Sequence, residues 1–465
     1  MMKVLVVSGE YPPMKGGVGR YTFNLVHALA KKSNIDVSVA ISSAAGTAAV
    51  SAPSSSFSSP HSPLPAHATI ATIRAPAAGP KSNKVTIYPG IVRKGDKQNS
   101  DHLLQLVSQT KPDIVNIQYE RGLYEVDTTI RHTIWRLVHG STLDQFYRKC
   151  PVPVVSTLHT VFPEEEYRSY VKDRALRKEG RFGFLPMPLR AAIRRWVMEQ
   201  RYDLLLEVVR LSDGIISPAR TIKEVVRRGT VIYHGAEPAI EVSSSSSSAN
   251  GKQQQQQLQQ KFRNELGLPT EKMLLLAFGY AGSYKGFDVL GSLRLPNGWS
   301  LVVKQTKHER GSEKPIDIRN NGDSNSNDVV SLHLGYLDDT TLSKLFFACD
   351  AIIFPYKIVS VSGVMFDSLA HGLPFVASNL RFFKEFADMG LGIICNRDMQ
   401  SFEQAVGNLA MAYDEFKTRV EQFRSNLRWD NVAQKHVEFF LELISQQNTK
   451  GSNERPTYKE EIADG

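Results

Sequence analysis

Short apolar runs alternate with longer amphipathic stretches along most of this chain. Residues 3–8 and 35–41 are rich in Val, Leu and Ile, as buried strands are, and residues 21–31 between them space apolar side chains at helical intervals. The alternation continues through residues 152–157 and resumes at residues 273–278. Strands that alternate with helices form parallel sheets with helices on both faces. The sequence therefore predicts an α/β protein built on doubly wound parallel sheets.

The chain has 465 residues, more than a single hydrophobic core accommodates. Serines at 243–248 and glutamines at 253–257 interrupt the alternation. Neither tract can build a core, so residues 237–262 are predicted to be a linker or loop. We therefore expect one α/β domain at residues 1–236 and a second at residues 263–430.

Three other segments depart from this domain pattern. Residues 42–80 are rich in Ser, Ala and Pro, which predicts a mobile insertion. Residues 431–445 have the apolar spacing of a final helix. The polar residues 446–465 are predicted to be a disordered tail.

The net charge of the chain is +9, from 56 Lys and Arg residues against 47 Asp and Glu residues. Such a charge suits a phosphorylated substrate, an anionic lipid surface or a nucleic acid. No zinc knuckle, helix-turn-helix signal or aromatic RNA-binding motif occurs, so we expect no nucleic acid partner. Cys150, Cys349 and Cys395 lack metal-ligand spacing, and their odd number suits a reducing cytoplasm. No apolar run is long enough for a transmembrane helix.

The most informative segment is a strand, turn, helix and strand unit near the C-terminal end. Residues 350–355 have the pattern of a buried strand, Ser362 and Gly363 follow at a turn, and a short helix is predicted over residues 364–370. The N-terminus of such a helix can bind phosphate, and Asp367 on it can hold vicinal sugar hydroxyls. Ordinary packing of helix and strand explains the same pattern when the segment is taken alone.

Two lysines of the second domain lie where strands are predicted to end. Lys285 precedes Gly286 in the loop after residues 273–278, where an ammonium can neutralise a diphosphate leaving group. Lys304 ends the next strand, at the edge where open α/β sheets bind ligands. A solvated lysine is the alternative at both positions.

A glycine-rich loop follows the first strand. Gly16 and Gly17 allow a ligand to approach the backbone, and Gly17, Gly19 and the following helix N-terminus can cradle an anion. The loop is too long before its glycines to be a dinucleotide-binding fingerprint. An ordinary tight turn between strand and helix is the alternative.

Polar residues also end two other strands of the first domain. His159 follows residues 152–157, where it can hydrogen-bond a sugar hydroxyl, although a lone histidine is more often structural. Glu120 and Arg121 follow the strand at residues 114–118, and a solvated ion pair is their alternative role.

Together these motifs resemble the retaining glycosyltransferases of family 4, which have the GT-B fold. The matching pieces are Glu10-Tyr-Pro-Pro with Gly16-Gly17, His159, His234-Gly235, Lys285-Gly286, Ser362-Gly363 with Asp367, and His371-Gly-Leu-Pro374. The resemblance implies two Rossmann-like parallel-sheet domains that face a cleft, with the final helix crossing back to the first domain. It also implies transfer of a sugar from a nucleotide-sugar to a glycan or lipid-linked acceptor, with retention of configuration and without a metal ion or other cofactor.

The resemblance and the motifs together define the candidate site residues. The catalytic candidates are His159, Lys285 and Asp367. The donor-binding candidates are Gly17, Tyr280, Lys304, Ser362, Gly363 and Val364. The acceptor or cleft candidates are Gly16, Tyr21, Glu120 and Arg121.

Two departures from the family pattern keep other functions open. Val359 stands where the family often has a glutamate, and Tyr280 stands where it usually has an arginine; Lys304 remains, and Lys357 is a candidate to replace the missing charge. A non-catalytic sugar-nucleotide-binding protein of the same fold is one alternative. A nucleotide-sugar 2-epimerase is another, but it requires acid and base carboxylates that the motifs do not supply.

A basic stretch at residues 168–201 suggests a membrane contact. Ten Lys and Arg residues lie there among aromatic and aliphatic side chains, against three acidic residues. Such a stretch can lie on an anionic bilayer, which predicts a cytoplasmic protein that is peripheral on the inner face of the cell membrane. The alternative is a solvated helix packed on the first domain through Ile193, Trp196 and Val197.

Overall fold

The computed structural model describes residues 1–42, 71–73, 85–125, 141–176, 185–240, 249–291, 293–306, 315 and 329–450. The chain separates into two compact units. The first consists of Met1–Val161, Val171–Gly235 and Trp429–Gly465, and the second of Phe162–Tyr170 and Ala236–Arg428.

The described residues form strands and helices in alternation. The strands are β1 (Met2–Ser8), β2 (Ile35–Ser42), β3 (Ala71–Ile73), β4 (Val85–Val92), β5 (Ile114–Tyr119), β6 (Val154–Leu158), β7 (Gly214–Ser217), β8 (Thr230–Val231), β9 (Met273–Tyr280), β10 (Trp299–Thr306), β11 (Val329–Ser331), β12 (Ala351–Phe354), β13 (Phe375–Ser378) and β14 (Gly392–Cys395). The helices are α1 (Gly17–Ala30), α2 (Asn99–Thr110), α3 (Arg121–Tyr124), α4 (Asp144–Lys149), α5 (Glu164–Leu176), α6 (Met187–Leu211), α7 (Arg220–Val226), α8 (Ala249–Glu265), α9 (Asp339–Ala348), α10 (Gly363–Ala370), α11 (Arg381–Ala387), α12 (Met399–Met411), α13 (Tyr413–Phe423) and α14 (Trp429–Lys450).

The first unit is built on one sheet with the strand order β3-β4-β2-β1-β5-β6-β7-β8. All described pairs are parallel except β3 with β4. Strand β1 is central, and its Leu5, Val6 and Val7 are fully buried because helices cover both faces of a parallel sheet. Helices α1 and α14 pack together over this core, with Leu25 and Phe440 in the same apolar cluster.

The second unit is built on a wholly parallel sheet with the order β11-β10-β9-β12-β13-β14. Its core lies where β9, β10 and β12 meet the helices, and Leu275, Val303 and Ile353 are part of it. The prediction of doubly wound parallel sheets is therefore confirmed in both units.

The prediction of a linker or loop over residues 237–262 is wrong for its second half, which belongs to α8. Glutamine is a good helix former, and Phe262 provides the apolar anchor that the composition obscured. Arg263 on this helix forms a buried ion pair with Asp350 at 2.7 Å. It also donates hydrogen bonds to the carbonyl oxygens of Ala348, Thr270 and Lys272. Residues 241–248 lie outside the described residues.

Other boundaries also differ from the sequence prediction. The loop after β9 contains two 3₁₀ turns, Ser283–Lys285 and Phe287–Val289, and Gly291 and Pro296 follow them. The final helix extends to Lys450, so residues 446–450 are helical and not part of a tail. The predicted insertion includes the short strand β3, and its residues 43–70 and 74–80 lie outside the described part, as do residues 451–465.

We expect Arg263→Met to destabilise the second unit by about 3 to 5 kcal/mol, because the substitution leaves the Asp350 carboxylate buried without its cation. Urea unfolding followed by tryptophan fluorescence measures this loss. Lys261→Met is the matched control, since Lys261 lies on the same helix and is exposed. Equal stability of the two variants would contradict the role of the ion pair.

Candidate functional site

The site candidates of the second unit lie at its topological switch point. The chain leaves β9 toward β10 on one side, and returns to pair β12 on the other side of β9. Loops that follow neighbouring strands on either side of such a point form the ligand-binding crevice of open α/β sheets. Lys285 follows β9, and Ser362 with Gly363 follows β12, so both lie at this crevice.

Lys285 is a buried cation in the loop after β9. Its side chain donates a hydrogen bond to the Tyr356 hydroxyl, and Nζ lies 3.9 Å from the centroid of the Tyr356 ring. Among the described residues no Asp or Glu pairs with it, and the residue is 7% exposed. Burial lowers the pKa of Lys285 to about 7, while the ring face favours the charged form. A diphosphate at this position would supply the missing counter-charge.

The backbone around Lys285 explains why a glycine follows it. Gly286 has φ +69°, and a Cβ there would lie 1.8 Å from the carbonyl oxygen of Pro355. The Arg397 guanidinium holds this close approach by donating to the Pro355 oxygen at 3.0 Å and to the Gly286 oxygen at 3.2 Å. The loops after β9 and β12 are therefore fixed against each other.

Helix α10 presents free amides beside this loop. The Ser362 side chain caps the helix by accepting a hydrogen bond from the Met365 amide at 3.3 Å. Among the described residues, the amides of Gly363 and Val364 make no hydrogen bond. Asp367 is buried one turn further along the helix. Amides without partners at a helix N-terminus are able to bind an anion, and the anion-binding site that the sequence predicts here stays a prediction.

The other donor candidates have different environments. Lys304 is fully buried, burial lowers its pKa, and its Nζ donates to Gln305 O at 3.2 Å and to Thr306 Oγ1 at 2.8 Å. Tyr280 ends β9 opposite Thr306 and is half-buried.

Lys357 lies 3.6 Å from Asp288, which also accepts from Arg397 at 2.6 Å. Lys357 therefore already contacts a carboxylate, which it shares with Arg397, and this contact argues against its replacing a missing arginine. Val359 is buried.

The His371-Gly372 pair ends α10 and is structural. The His371 ring hydrogen-bonds Asp367 O through Nδ1 and Ser343 Oγ through Nε2, each at 2.6 Å. Phe346 and Phe347 pack against the ring. These contacts fix the C-terminal end of the helix that carries Asp367.

The N-terminus of α1 is occupied by a side chain of the protein. The Glu10 carboxylate accepts a hydrogen bond from the Gly19 amide at 3.0 Å. A Cβ at Gly16 would lie within 2.1 Å of this carboxylate, so Gly16 makes room for Glu10. The predicted anion cradle at Gly17 and Gly19 is therefore already filled in part, although Gly17 itself borders open space.

Tyr21, which the sequence predicts as an acceptor or cleft residue, lies in the core of the first unit. Its side chain is fully buried, and burial raises the pKa of its hydroxyl. The ring packs against His159, His234 and Trp429, with centroid distances of 4.9, 4.9 and 5.4 Å. Apolar spacing along α1 places Tyr21 on the core face of the helix.

The structure brings His159 and Glu120 to neighbouring strand ends. The His159 amide donates to Tyr119 O at 3.0 Å, which ties the end of β6 to the end of β5. Glu120 and Arg121 follow β5 directly, at the start of α3, and both are half-buried. Burial and the nearby His234 lower the pKa of His159 to about 3. His159 is therefore neutral at physiological pH and cannot serve as a cation.

The sequence did not identify the residues that hydrogen-bond to Lys285 and His159. Tyr356 holds Lys285 and lies in a loop whose composition gives no signal. Gln118 accepts a hydrogen bond from His159 at 2.9 Å, and its neighbour Asn116 is also buried. Two amides at alternate positions of an apolar strand lie on one face, and this pattern was the available signal.

The basic stretch at residues 168–201 is only partly exposed. Arg190 is buried and donates to Leu185 O at 2.6 Å, so it cannot contact a bilayer. Arg168 and Arg195 are exposed and pair with Glu164 and Glu199. Residues 177–184 lie outside the described part of the chain. Within the described residues, no helix is long and apolar enough to cross a membrane.

No protein-family model matches the chain, and no curated protein matches it in sequence. Solved structures do resemble it. Sucrose-phosphate synthase from Thermosynechococcus elongatus is 13% identical, with a TM-score of 0.58 over 96% of this chain and 100% of that one. The Anabaena protein HepE in complex with UDP is 12% identical, with a TM-score of 0.54 over 95% and 100%. The catalytic domain of starch synthase IV from Arabidopsis thaliana, bound to ADP and acarbose, is 14% identical, with a TM-score of 0.53 over 96% and 99%.

At these identities the likeness establishes the fold. The chain has the GT-B fold, with two Rossmann-like units on parallel sheets, as the sequence predicted. Among the described residues, no cluster of three His, Cys, Asp or Glu side chains is placed to hold a metal ion.

We expect Glu10→Ala to loosen the start of α1, because the Gly19 amide loses its acceptor. The loss amounts to about 1 to 2 kcal/mol for a helix cap. Hydrogen–deuterium exchange of the peptide over residues 16–30 measures it locally. Glu10→Gln is the control, since it keeps an acceptor oxygen and loses only the charge. Unchanged exchange in Glu10→Ala would show that the carboxylate does not cap the helix.

Proposed function

We propose that this chain is a glycosyltransferase that moves a sugar from a nucleotide-sugar donor to an acceptor hydroxyl with retention of configuration. The observation that carries the proposal is the buried Lys285, which no carboxylate of the described residues pairs with, together with the Gly363 and Val364 amides, which make no hydrogen bond within that part of the chain. A buried charge without a partner costs folding free energy, so its presence calls for a ligand that pairs with it. The GT-B fold and the motifs of the sequence favour a nucleoside diphosphate as that ligand.

The proposed chemistry is neutralisation of a leaving group. The bond between the anomeric carbon and the donor phosphate breaks, and a bond to the acceptor oxygen forms on the same face. The departing phosphate oxygen takes the acceptor proton. Lys285 and the two amides stabilise the charge that develops on the diphosphate, and Asp367 holds sugar hydroxyls. Protein cations and amides do the neutralising in this proposal, which therefore assigns no role to a metal ion.

The functional test begins with donor binding and continues to turnover. UDP-, GDP- and ADP-glucose are screened by thermal shift, because a bound ligand raises the unfolding temperature. The donor that binds is then assayed for sugar transfer to glycan and lipid-linked acceptors. Proton NMR of the product distinguishes retention from inversion. An inverted product would contradict the proposed stereochemistry but not the donor site.

We expect Lys285→Met to lower kcat/KM by about 100- to 1000-fold, because the leaving-group charge is no longer compensated. The same variant should be more stable than the wild type by roughly 2 kcal/mol or more at pH 6, since it removes a buried charge whose pKa is lowered. Lys261→Met, on an exposed helix face, is the control for both readouts. Turnover near the wild-type value in Lys285→Met would exclude Lys285 from the site.

A non-catalytic sugar-nucleotide-binding protein is the second candidate. Val359 is buried where a carboxylate is expected, and Lys357 is paired with Asp288. Both observations reduce the polar contacts available to the sugar and the phosphates. This candidate predicts that a nucleotide-sugar stabilises the protein while neither transfer nor hydrolysis occurs with any acceptor tested.

A lipid-linked acceptor is proposed because exposed Arg168, Lys172 and Arg195 lie in the basic stretch. Co-sedimentation with anionic liposomes at low salt tests this membrane contact. If the protein does not bind the liposomes under those conditions, the membrane contact is excluded, and a soluble glycan remains as the proposed acceptor.

A further inference from the structure

A ladder of buried amide side chains leads along β5 to His159. Asn116 Nδ2 donates to Thr157 Oγ1 at 3.0 Å and to the backbone oxygen of Val155 at 3.4 Å. Gln118 Nε2 donates to Asn116 Oδ1. Gln118 Oε1 lies 2.9 Å from His159 Nε2. Asn116, Gln118 and Thr157 are fully buried, so no water competes for these groups.

The direction of every hydrogen bond in this ladder follows from one backbone group. The Val155 carbonyl can only accept, so the Asn116 amide nitrogen must face it and Asn116 Oδ1 must face Gln118. The Gln118 nitrogen therefore faces Asn116, and its oxygen faces His159. An amide oxygen has no proton to give, so His159 must carry its proton on Nε2.

The other ring nitrogen of His159 then has a defined chemistry. His159 is neutral, because burial and His234 lower its pKa, so Nδ1 carries a lone pair. Among the described residues, Nδ1 has no hydrogen-bond partner. The titratable groups that pack against the ring are Tyr21 and His234, and the Tyr21 hydroxyl is uncharged. A lone pair at this position accepts a hydrogen bond from a hydroxyl and repels a phosphate oxygen.

We propose, on the basis of the proposed function, that Gln118 is a positioning residue that fixes the tautomer of His159 so that Nδ1 accepts a hydrogen bond from a sugar hydroxyl. His159 then selects substrates that have a hydroxyl at that position and does not transfer a proton in the reaction. The ring nitrogen that faces a ligand is commonly set by the partner of the other one.

The first test determines the tautomer of His159, and this measurement needs no substrate. Nitrogen-15 NMR of histidine-labelled protein distinguishes a protonated Nε2 from a protonated Nδ1, and His159→Gln identifies the signal. We expect a protonated Nε2 and a bare Nδ1 in the wild type at pH 7. Gln118→Glu should raise the pKa of His159, because a carboxylate beside the ring favours its charged form, so the His159 signals should titrate at a higher pH than in the wild type. Gln118→Leu should give a mixture of tautomers.

Thr157→Val is the matched control for disturbing the ladder. It removes the hydroxyl at the far end and leaves the Val155 carbonyl to orient Asn116. The His159 signals should therefore stay as in the wild type. A wild-type proton on Nδ1, or an unchanged His159 signal in Gln118→Glu, would overturn the assignment of the tautomer.

The second test measures whether the lone pair on His159 Nδ1 accepts a hydrogen bond from a sugar hydroxyl. With the donor established by the binding screen, monodeoxy analogues are compared with the parent sugar. At pH 5, where the wild-type ring is neutral and the ring of Gln118→Glu begins to take up a proton, we expect the wild type to reject one analogue by about 100-fold in kcat/KM and Gln118→Glu to reject it less strongly. In Gln118→Glu, turnover relative to the wild type should recover as pH rises and His159 loses its added proton.

The two proposals fail in different ways. If no nucleotide-sugar binds, the proposed function fails while the tautomer measurement still stands. If the donor binds and is used but every deoxy analogue is affected equally in the wild type and Gln118→Glu, the hydroxyl-reading role of His159 is overturned.

Discussion

The pairing of β9 with both β10 and β12 is the constraint on which the second unit depends. It places the ends of β9 and β12 side by side, and the loops that follow them carry Lys285 and Ser362. Gly286 and Arg397 then hold these loops together through the Pro355 carbonyl. The result is a desolvated ammonium near the start of α10, where the amides of Gly363 and Val364 make no hydrogen bond to any described residue. This concentration of uncompensated positive charge on an otherwise ordinary parallel sheet is what makes the crevice a candidate site.

The two units use the same architecture in different ways. In the first unit, β1 lies between β2 and β5, so the loop after β1 also borders a switch point. There, the Glu10 carboxylate caps the helix from within the protein. In the second unit, the amides of Gly363 and Val364 have no such partner among the described residues. The difference favours anion binding in the second unit, and the hydroxyl recognition that we propose for His159 belongs to the first.

Much of the fold could be predicted from the sequence because buried parallel strands are short runs of Val, Ile and Leu. The strand ends were predicted for the same reason, and Lys285, Gly363 and His159 lie where the pattern placed them. Predictions from composition were wrong where a tertiary contact determined the local structure. The glutamine tract is helical because Phe262 and Arg263 anchor it to the second unit, and Arg190 is buried although its neighbours are charged. The burial of Tyr21 was not predicted, because its position near a glycine-rich loop concealed its place on the core face of α1. Gln118 and Tyr356 were missed because a sequence does not show which group a side chain faces.

We propose that the Lys285 ammonium pairs with the diphosphate of a bound nucleotide. Isothermal titration calorimetry with UDP, GDP and ADP at pH 8, in buffers that differ in ionisation enthalpy, measures the protons taken up on binding. Because burial lowers the pKa of Lys285 to about 7, the amine is mostly neutral in the empty site at that pH. Binding should therefore take up close to one proton in the wild type and none in Lys285→Met. Tight binding without proton uptake in the wild type would contradict the account, since the diphosphate would then lie away from Lys285.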